Sequence, residues 1–226
     1  MKQYWAIPPE HNAAFVAAME DVLAVYQRPL DPAYPVICMD ETSKQLIGET
    51  RTVLPVAPGQ PRREDYEYER QGVANLFLFC EPLTGWREVQ VSERRTRTDW
   101  AGAMRDLSDR LYLASRRITV VLDNLNTHGP ASFYEAFAPE EARRLAERFE
   151  FHYTPKHGSW LNVAEIELSV LSRQCLDRRI GGLEELRSEI KAWQQKRNQA
   201  SKAVDWQFTT AEARIKLKRL YPVIQA

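Results

Sequence analysis

Four acidic side chains occupy positions from which they could do chemistry. Asp40 closes the apolar run "PVICM", Asp123 closes "RITVVL", and Glu165 and Glu167 lie two residues apart in "NVAEIELSVLS". A carboxylate at the end of a stiff strand is aimed by that strand while its head group reaches a cleft. Three such groups converging would repel one another, and a divalent cation relieves the repulsion. An all-oxygen donor set suits Mg²⁺ or Mn²⁺. Two such ions together activate an attacking oxygen and stabilise a leaving one in phosphoryl transfer. Taken singly, each residue has an ordinary explanation, since Asp is common at strand ends for turn hydrogen bonding. The set of three points to a shared site.

Only one of the two glutamates can join it. At ~100° per residue, positions two apart on a helix point ~200° apart. Leu161, Ala164, Leu168, Leu171 and Cys175 make one apolar stripe of this helix, and Val163, Ile166 and Val170 make a second. Glu165 borders the first and Glu167 lies between the two, so periodicity does not choose between them. It predicts a largely enclosed helix in which each glutamate needs a partner.

The elements that must position these groups follow from pattern and punctuation. Residues 1–35 read as an N-terminal extension, with Phe15, Met19, Val22, Leu23 and Tyr26 at helical spacing and Pro29, Pro32 and Pro35 closing it. Val36 to Met39 read as a buried strand, with "QLIGETRTVL" as its hairpin partner. Residues 55–71 are Pro-rich and charged, as in a loop. "GVANLFLFCEPLTGWREVQVS" predicts two strands joined by a turn at Pro82–Gly85. "TDWAGAMRDLSDRLYLAS" is helical. Ile118 to Leu122 are apolar throughout, which predicts a strand covered on both faces. "SFYEAFAPEEARRLAERF" reads as helix, "EFHYTP" as a short strand stopped by Pro155, "KHGSW" as a loop and 162–176 as helix. One or two amphipathic helices then run to about residue 220. The order predicts an α/β fold with a mixed central sheet flanked by helices on both faces.

Composition narrows the class. The 226 residues suffice for one domain with a real core, and 44% hydrophobic with 27% charged is ordinary for a soluble protein. No run of ~18 apolar residues predicts a membrane span, and the start lacks a secretory core. Cys38, Cys80 and Cys175 are odd in number and far apart, which fits a reducing cytoplasm rather than a disulfide framework. Lys plus Arg and Asp plus Glu are both 31. A free-standing DNA-binding module is normally basic, so bulk charge argues mildly against nucleic acid, although local patches matter more than the sum.

The blocks "VICMDET", "VVLDNLNTH" and "YTPKHGSWLNVAEIELSVLSRQCL" resemble, in order, the three catalytic blocks of the mariner-like DDE transposases. The branch they are most similar to is the bacterial insertion sequence six-thirty family. The resemblance implies an RNase H-like fold over residues 36–226, with Asp40, Asp123 and Glu165 as the catalytic and metal-binding triad holding two Mg²⁺ (or Mn²⁺) ions. Glu165 is named by the family's Asn-x-x-Glu spacing, here from Asn162; Glu167 then becomes a salt-bridged or rim residue that faces away. The implied reaction is cleavage of double-stranded DNA at element ends, leaving a 3′-hydroxyl that attacks target DNA at a TA dinucleotide. The enzyme would work as a homodimer assembled on DNA in the bacterial cytoplasm, at the nucleoid. Family members carry an N-terminal helix-turn-helix region, and no Arg- and Lys-rich recognition helix precedes the first catalytic strand here. A separate helix-turn-helix partner chain is therefore expected for a split enzyme. The rival expectations are a catalytically silent, DNA-binding remnant and an RNase H-like nuclease acting on hybrids.

Further positions follow from the same blocks. Asn124 and His128 are expected near the metals, His128 contacting a phosphate, holding Asp123 or simply starting a helix. Glu41 alternates to the other side of the strand from Asp40. His152 and His157 read as polar loop groups, with Lys156 and His157 able to approach DNA. Trp86, Trp100, Trp160, Trp193 and Trp206 are core candidates, with Trp160 alternatively stacking on an unpaired base. The basic groups at Arg94, Arg95 and Arg97, at Arg116 and Arg117, at Lys191, Lys196 and Arg197, and at Lys216, Lys218 and Arg219 read as solvated faces.

Overall fold

The computed structural model describes residues 12–52, 57–60 and 65–222. Residues 1–11 of the expected extension, 53–54 of the expected hairpin partner, and 55–56 and 61–64 of the expected loop lie outside the described residues. In chain order the elements are α1 (Ala13–Tyr26), β1 (Val36–Glu49), β2 (Tyr68–Glu81), β3 (Trp86–Ser92), α2 (Arg97–Asp106), β4 (Ile118–Leu122), α3 (Pro130–Ala136), α4 (Pro139–Arg148), β5 (Phe149–Tyr153), α5 (Val163–Leu171), α6 (Leu183–Gln199) and α7 (Thr210–Lys216). The strands form one sheet in the order β3-β2-β1-β4-β5. β1, β2 and β3 run antiparallel in a meander, while β1, β4 and β5 run parallel through helical crossovers. The sheet is mixed, as expected.

Alternation along the strands splits the core in two, because successive side chains face opposite sides. Cys38, Leu76, Leu78 and Val121 face the side covered by α1, α5 and α6, with Met19, Leu23, Leu168 and Ile190 among their neighbours. Ile37, Met39, Phe77, Phe79, Val120 and Leu122 face the side covered by α2, α3 and α4, around Trp100 and Phe133. Each fully buried Leu, Ile or Phe contributes about 1.5–3 kcal/mol of transfer free energy. α1 buries Phe15, Met19, Val22 and Leu23 in the first of these cores.

Three expectations are corrected. "QLIGE" is not a hairpin partner but the continuation of β1, which runs unbroken through Asp40 with a register shift between Gln45 and Ile47; its partner is β2. β2 also takes up Tyr68–Gln71 from the expected loop. The single helix expected over "SFYEAFAPEEARRLAERF" is two, because Pro139 has no N–H to continue α3 and instead occupies the first turn of α4.

The outer edge of β3 is closed by side chains of α6. Asn198 accepts from the Arg87 N–H at 2.9 Å and donates to the Arg87 carbonyl at 2.8 Å, and Gln194 accepts from the Val89 N–H at 2.8 Å. An open edge would offer these groups to another chain. Here they hold α6 against β3.

Candidate active site

Strand register brings the two aspartates together. β1 and β4 are parallel, and their last paired residues are Cys38 and Val121. Two residues further along each strand come Asp40 and Asp123, side by side and, with a period of two, on the face of Cys38 and Val121. Asp40 does not end its strand, as the sequence reading has it; it sits where the neighbouring β4 ends and leaves a gap. The next parallel strand supplies Thr154 at the same level, since Val121 pairs with His152. Ligands of open α/β sheets bind beyond the carboxyl ends of parallel strands.

The third carboxylate arrives on α5. Asn162 caps this helix, its Oδ1 accepting from the Ala164 N–H at 3.1 Å. Its Nδ2 donates to the Met39 carbonyl at 3.0 Å and to Asp40 Oδ2 at 3.3 Å. Behind it, the Tyr26 hydroxyl donates to the Leu161 carbonyl at 2.6 Å. The start of α5 is thus fastened to β1 and α1, and Glu165 in its first turn is exposed toward the aspartates. A cleft of about 400 Å³ is lined by Asp40, Asp123 and Glu165 together with Asn124, Leu125, Thr154, Pro155, Lys156, His157, Ser159 and Asn162. We expect Asn162→Ala to lower stability by at least about 1 kcal/mol, a typical cap loss, because the Met39 carbonyl also loses its donor. Thermal melting checks this.

Electrostatics set Asp40 apart. Burial pushes its carboxyl up to about 7; the negative charges of Asp123 and Glu165 add to the rise, and the Glu41 N–H at 2.7 Å and nearby His128 oppose it. Asp123 is held differently. His128 Nδ1 lies 2.6 Å from Asp123 Oδ1, and Nε2 lies 3.1 Å from Glu41 Oε2. His128 is buried and stacks on Trp100. Burial disfavours its cation, but the hydrogen bonds it donates to Asp123 and Glu41 prevail and hold it at about 9. Of the options open for His128, the structure realises the contact with Asp123; its burial keeps it from a phosphate. Glu41 buries its carboxylate against that imidazole, with Arg95 3.6 Å away.

The donor set fits a hard divalent cation in type, being oxygen throughout, and a raised Asp40 between two further carboxylates is the imbalance such a cation relieves. Among the described residues, no three His, Cys, Asp or Glu side chains already stand close enough to cage an ion. The cleft therefore brings the carboxylates near one another without closing them on a point.

The two glutamates part as helix geometry requires. Glu167 is buried on the far side of α5, where Arg87 Nε and Nη2 donate to its two oxygens at 2.6 and 2.9 Å and Arg197 Nη2 reaches both at 3.1–3.2 Å. Burial raises its carboxyl, but the Arg87 hydrogen bonds and the two guanidinium charges prevail and leave it below the usual carboxylate range. It is salt-bridged rather than at the rim, and Arg197 is a partner of a buried charge rather than part of a solvated face. The helix is less enclosed than expected, since Ile166 is 45% exposed.

Asn124, Lys156 and His157 line the cleft, His157 with φ 65° in the left-handed region that non-glycine residues seldom adopt. Trp160 does not line it. Its half-buried ring packs 6.0 Å from that of Phe208, and its indole nitrogen is buried. His152 is no loop group; it lies in β5, bonded to Asp21 and Glu150. Sequence reasoning missed Leu125 and Thr154 on the cleft wall, and Arg87. Thr154 follows from the parallel register once β5 is placed; for Arg87 the sequence carries no local signal.

With this geometry in place, comparison with known proteins is informative. The family model of the DDE superfamily endonuclease matches residues 35–187. No curated protein matches the sequence. Among solved structures, the chain is similar to a Mos1 mariner paired-end complex with Mn, at 16% identity and TM-score 0.53 over 97% of this chain and 63% of that one. It is likewise similar to the Mos1 paired-end complex with Mg, at 16% identity and TM-score 0.55 over 99% and 67%, and to a Mos1 strand transfer complex, at 17% and 0.54 over 85% and 57%. The chain thus spans about two thirds or less of the length of these proteins. At such identities the likeness shows a shared fold, the RNase H-like arrangement expected above.

Proposed function

Since the chain belongs to the DDE superfamily of endonucleases, we propose that it is the catalytic domain of a DNA transposase, with residues 36–226 as the catalytic unit and insertion sequence six-thirty elements as its family. One observation carries the reading: Asp40, Asp123 and Glu165, from three separate elements, line a single cleft at the end of the parallel strands. These three residues would hold two Mg²⁺ or Mn²⁺ ions. Bound there, the ions supply an activated attacking oxygen and charge neutralisation on the leaving oxygen of a phosphodiester.

The rest belongs to this chain's own groups. Asn162 fixes Asp40, and His128 fixes Asp123 through Nδ1. Lys156 and His157, which line the cleft with Asn124, would take phosphate oxygens of the DNA backbone. The substrate is double-stranded DNA, first at the element ends and then, with the released 3′-hydroxyl as nucleophile, at a TA target. A homodimer on DNA and a separate helix-turn-helix chain that reads the ends complete the proposal, which places the protein at the nucleoid. Among the described residues no helix is long and apolar enough to cross a membrane.

The test is nicking of a plasmid carrying element ends, with Mg²⁺ or Mn²⁺ and with an added helix-turn-helix partner. Asp40→Asn, Asp123→Asn and Glu165→Gln are each expected to lose at least about 10³-fold in rate, the equivalent of ~4 kcal/mol of transition-state stabilisation. Full activity in Glu165→Gln would refute the assignment. A parent chain that binds DNA without cutting under every condition would replace it with a silent remnant, and preference for an RNA–DNA hybrid would replace it with a nuclease.

A further inference from the structure

Glu167 has no place in the proposed chemistry, yet it is the most heavily bonded residue of α5. Its carboxylate is buried among two guanidiniums. Arg87 is itself immobilised: it donates through Nη1 to the Gly85 carbonyl and through Nη2 to the Lys202 carbonyl at 2.9 Å. Its backbone is clasped by Asn198 of α6. Glu167 therefore docks into a fork whose position is set by β3 and α6.

We propose that the Arg87–Glu167–Arg197 cluster is a positioning device that sets the roll of α5 about its axis, and so the aim of Glu165. This rests on the proposed cutting role of Glu165. The buried apolar residues of α5, Val163, Ala164, Leu168 and Leu171, hold the helix against the sheet, but apolar contact is not directional. Charge-assisted bonds from Arg87 Nε and Nη2 to both carboxylate oxygens are directional. The two glutamates point ~200° apart, so fixing one direction fixes the other. A roll of about 20° moves a carboxylate ~6 Å from the axis by roughly 2 Å. A 1 Å misplacement of reacting groups costs about 10²-fold in rate. Stability alone does not require the cluster, because a buried ion pair is often replaced by apolar residues without loss. Asn162 pins the start of the helix and the cluster pins its middle, leaving Glu165 between two fixed points.

The test uses the whole chain and two variants: Glu167→Gln, and the apolar replacement Arg87→Met with Glu167→Met and Arg197→Met. The first keeps the shape and one acceptor should the second fail to fold. Each is melted in EDTA and with Mn²⁺, and assayed for Mn²⁺-dependent nicking of the plasmid carrying element ends, with the added helix-turn-helix partner. A variant that melts near the parent in EDTA is expected to lose about tenfold or more in kcat with KM for DNA unchanged. It is also expected to show a smaller Mn²⁺-induced rise in melting temperature. A variant that melts, nicks and responds to Mn²⁺ like the parent overturns the proposal. If the parent itself fails to nick, the proposed function fails and the Mn²⁺ response alone judges the cluster: a response equal in parent and variant, or absent from both, overturns it.

Discussion

In EDTA at pH 8, Asp40→Asn is expected to melt above the parent chain. Burial, with Asp123 and Glu165 nearby, raises the Asp40 carboxyl from 3.8 to about 7. Each unit of pKa is worth about 1.4 kcal/mol, so the ionised side chain costs the metal-free fold at most about 4 kcal/mol. The sign follows from which state holds the proton. The folded chain binds it more tightly than the unfolded one, so stability falls as pH rises from about 4 to about 7 and is level above that. Asn carries no charge. Its Oδ1 keeps the bond from the Glu41 N–H, while its amide loses the weaker one from Asn162, worth about 1 kcal/mol. The balance is a gain of a few degrees at pH 8, at roughly 2–4 °C per kcal/mol for a chain of this size. That gain shrinks as pH is lowered through 7 and is gone near 4. Mg²⁺ should raise the parent and leave Asp40→Asn where it was, and nicking should vanish in the variant. A variant less stable than the parent at pH 8 would mean that Asp40 is held by compensating charge and is not poised for a cation.

The two aspartates were legible because each ends an uninterrupted apolar run, and an apolar run that short, flanked by helices, has few places to go but the middle of a covered sheet. Their pairing could be read only once the parallel register of Cys38 with Val121 was known. The course of β1 past Asp40 was not legible. "DETSKQ" is polar, and what keeps it extended is the ladder to β2, whose strand begins at Tyr68, across a long excursion. The split of α3 from α4 was visible in principle, since Pro139 stands in the middle of the run, but the flanking helical periodicity masks it. Side-chain partnerships were the least legible. His128 is close in sequence to Asp123, and the contact was foreseen among other options. Its second partner, Glu41, sits 87 residues away. Arg87, 80 residues from Glu167, lies in a run whose pattern announces only a strand. Local pattern reports which face of an element is buried; it does not report which charge is buried with which.

That difference is sharpest for the two glutamates, and truncation should expose it. Glu165→Ala is expected to leave stability within about 0.5 kcal/mol of the parent, because the side chain is exposed and, among the described residues, bonds to no other side chain. Alanine also favours the helix, and losing a negative charge beside Asp40 offsets the lost interaction with the helix N-terminus. Glu167→Ala is expected to cost about 3–5 kcal/mol, since it strands the buried Arg87 and the half-buried Arg197 without their counter-charge. At roughly 2–4 °C per kcal/mol, the melting temperature falls by ~6–20 °C. Activity ranks them the other way: at a temperature where both variants remain folded, Glu167→Ala retains more nicking than Glu165→Ala. Melting curves and initial nicking rates decide the matter. Equal destabilisation would mean that Glu165 is bonded in solution, and full activity in folded Glu165→Ala would mean that the cleft recruits its third carboxylate from elsewhere. On this proposal, two carboxylates of identical chemistry, two residues apart, take different parts, one reaching the cleft and one holding the helix, because a helix turns ~100° per residue and only one side of this one faces water.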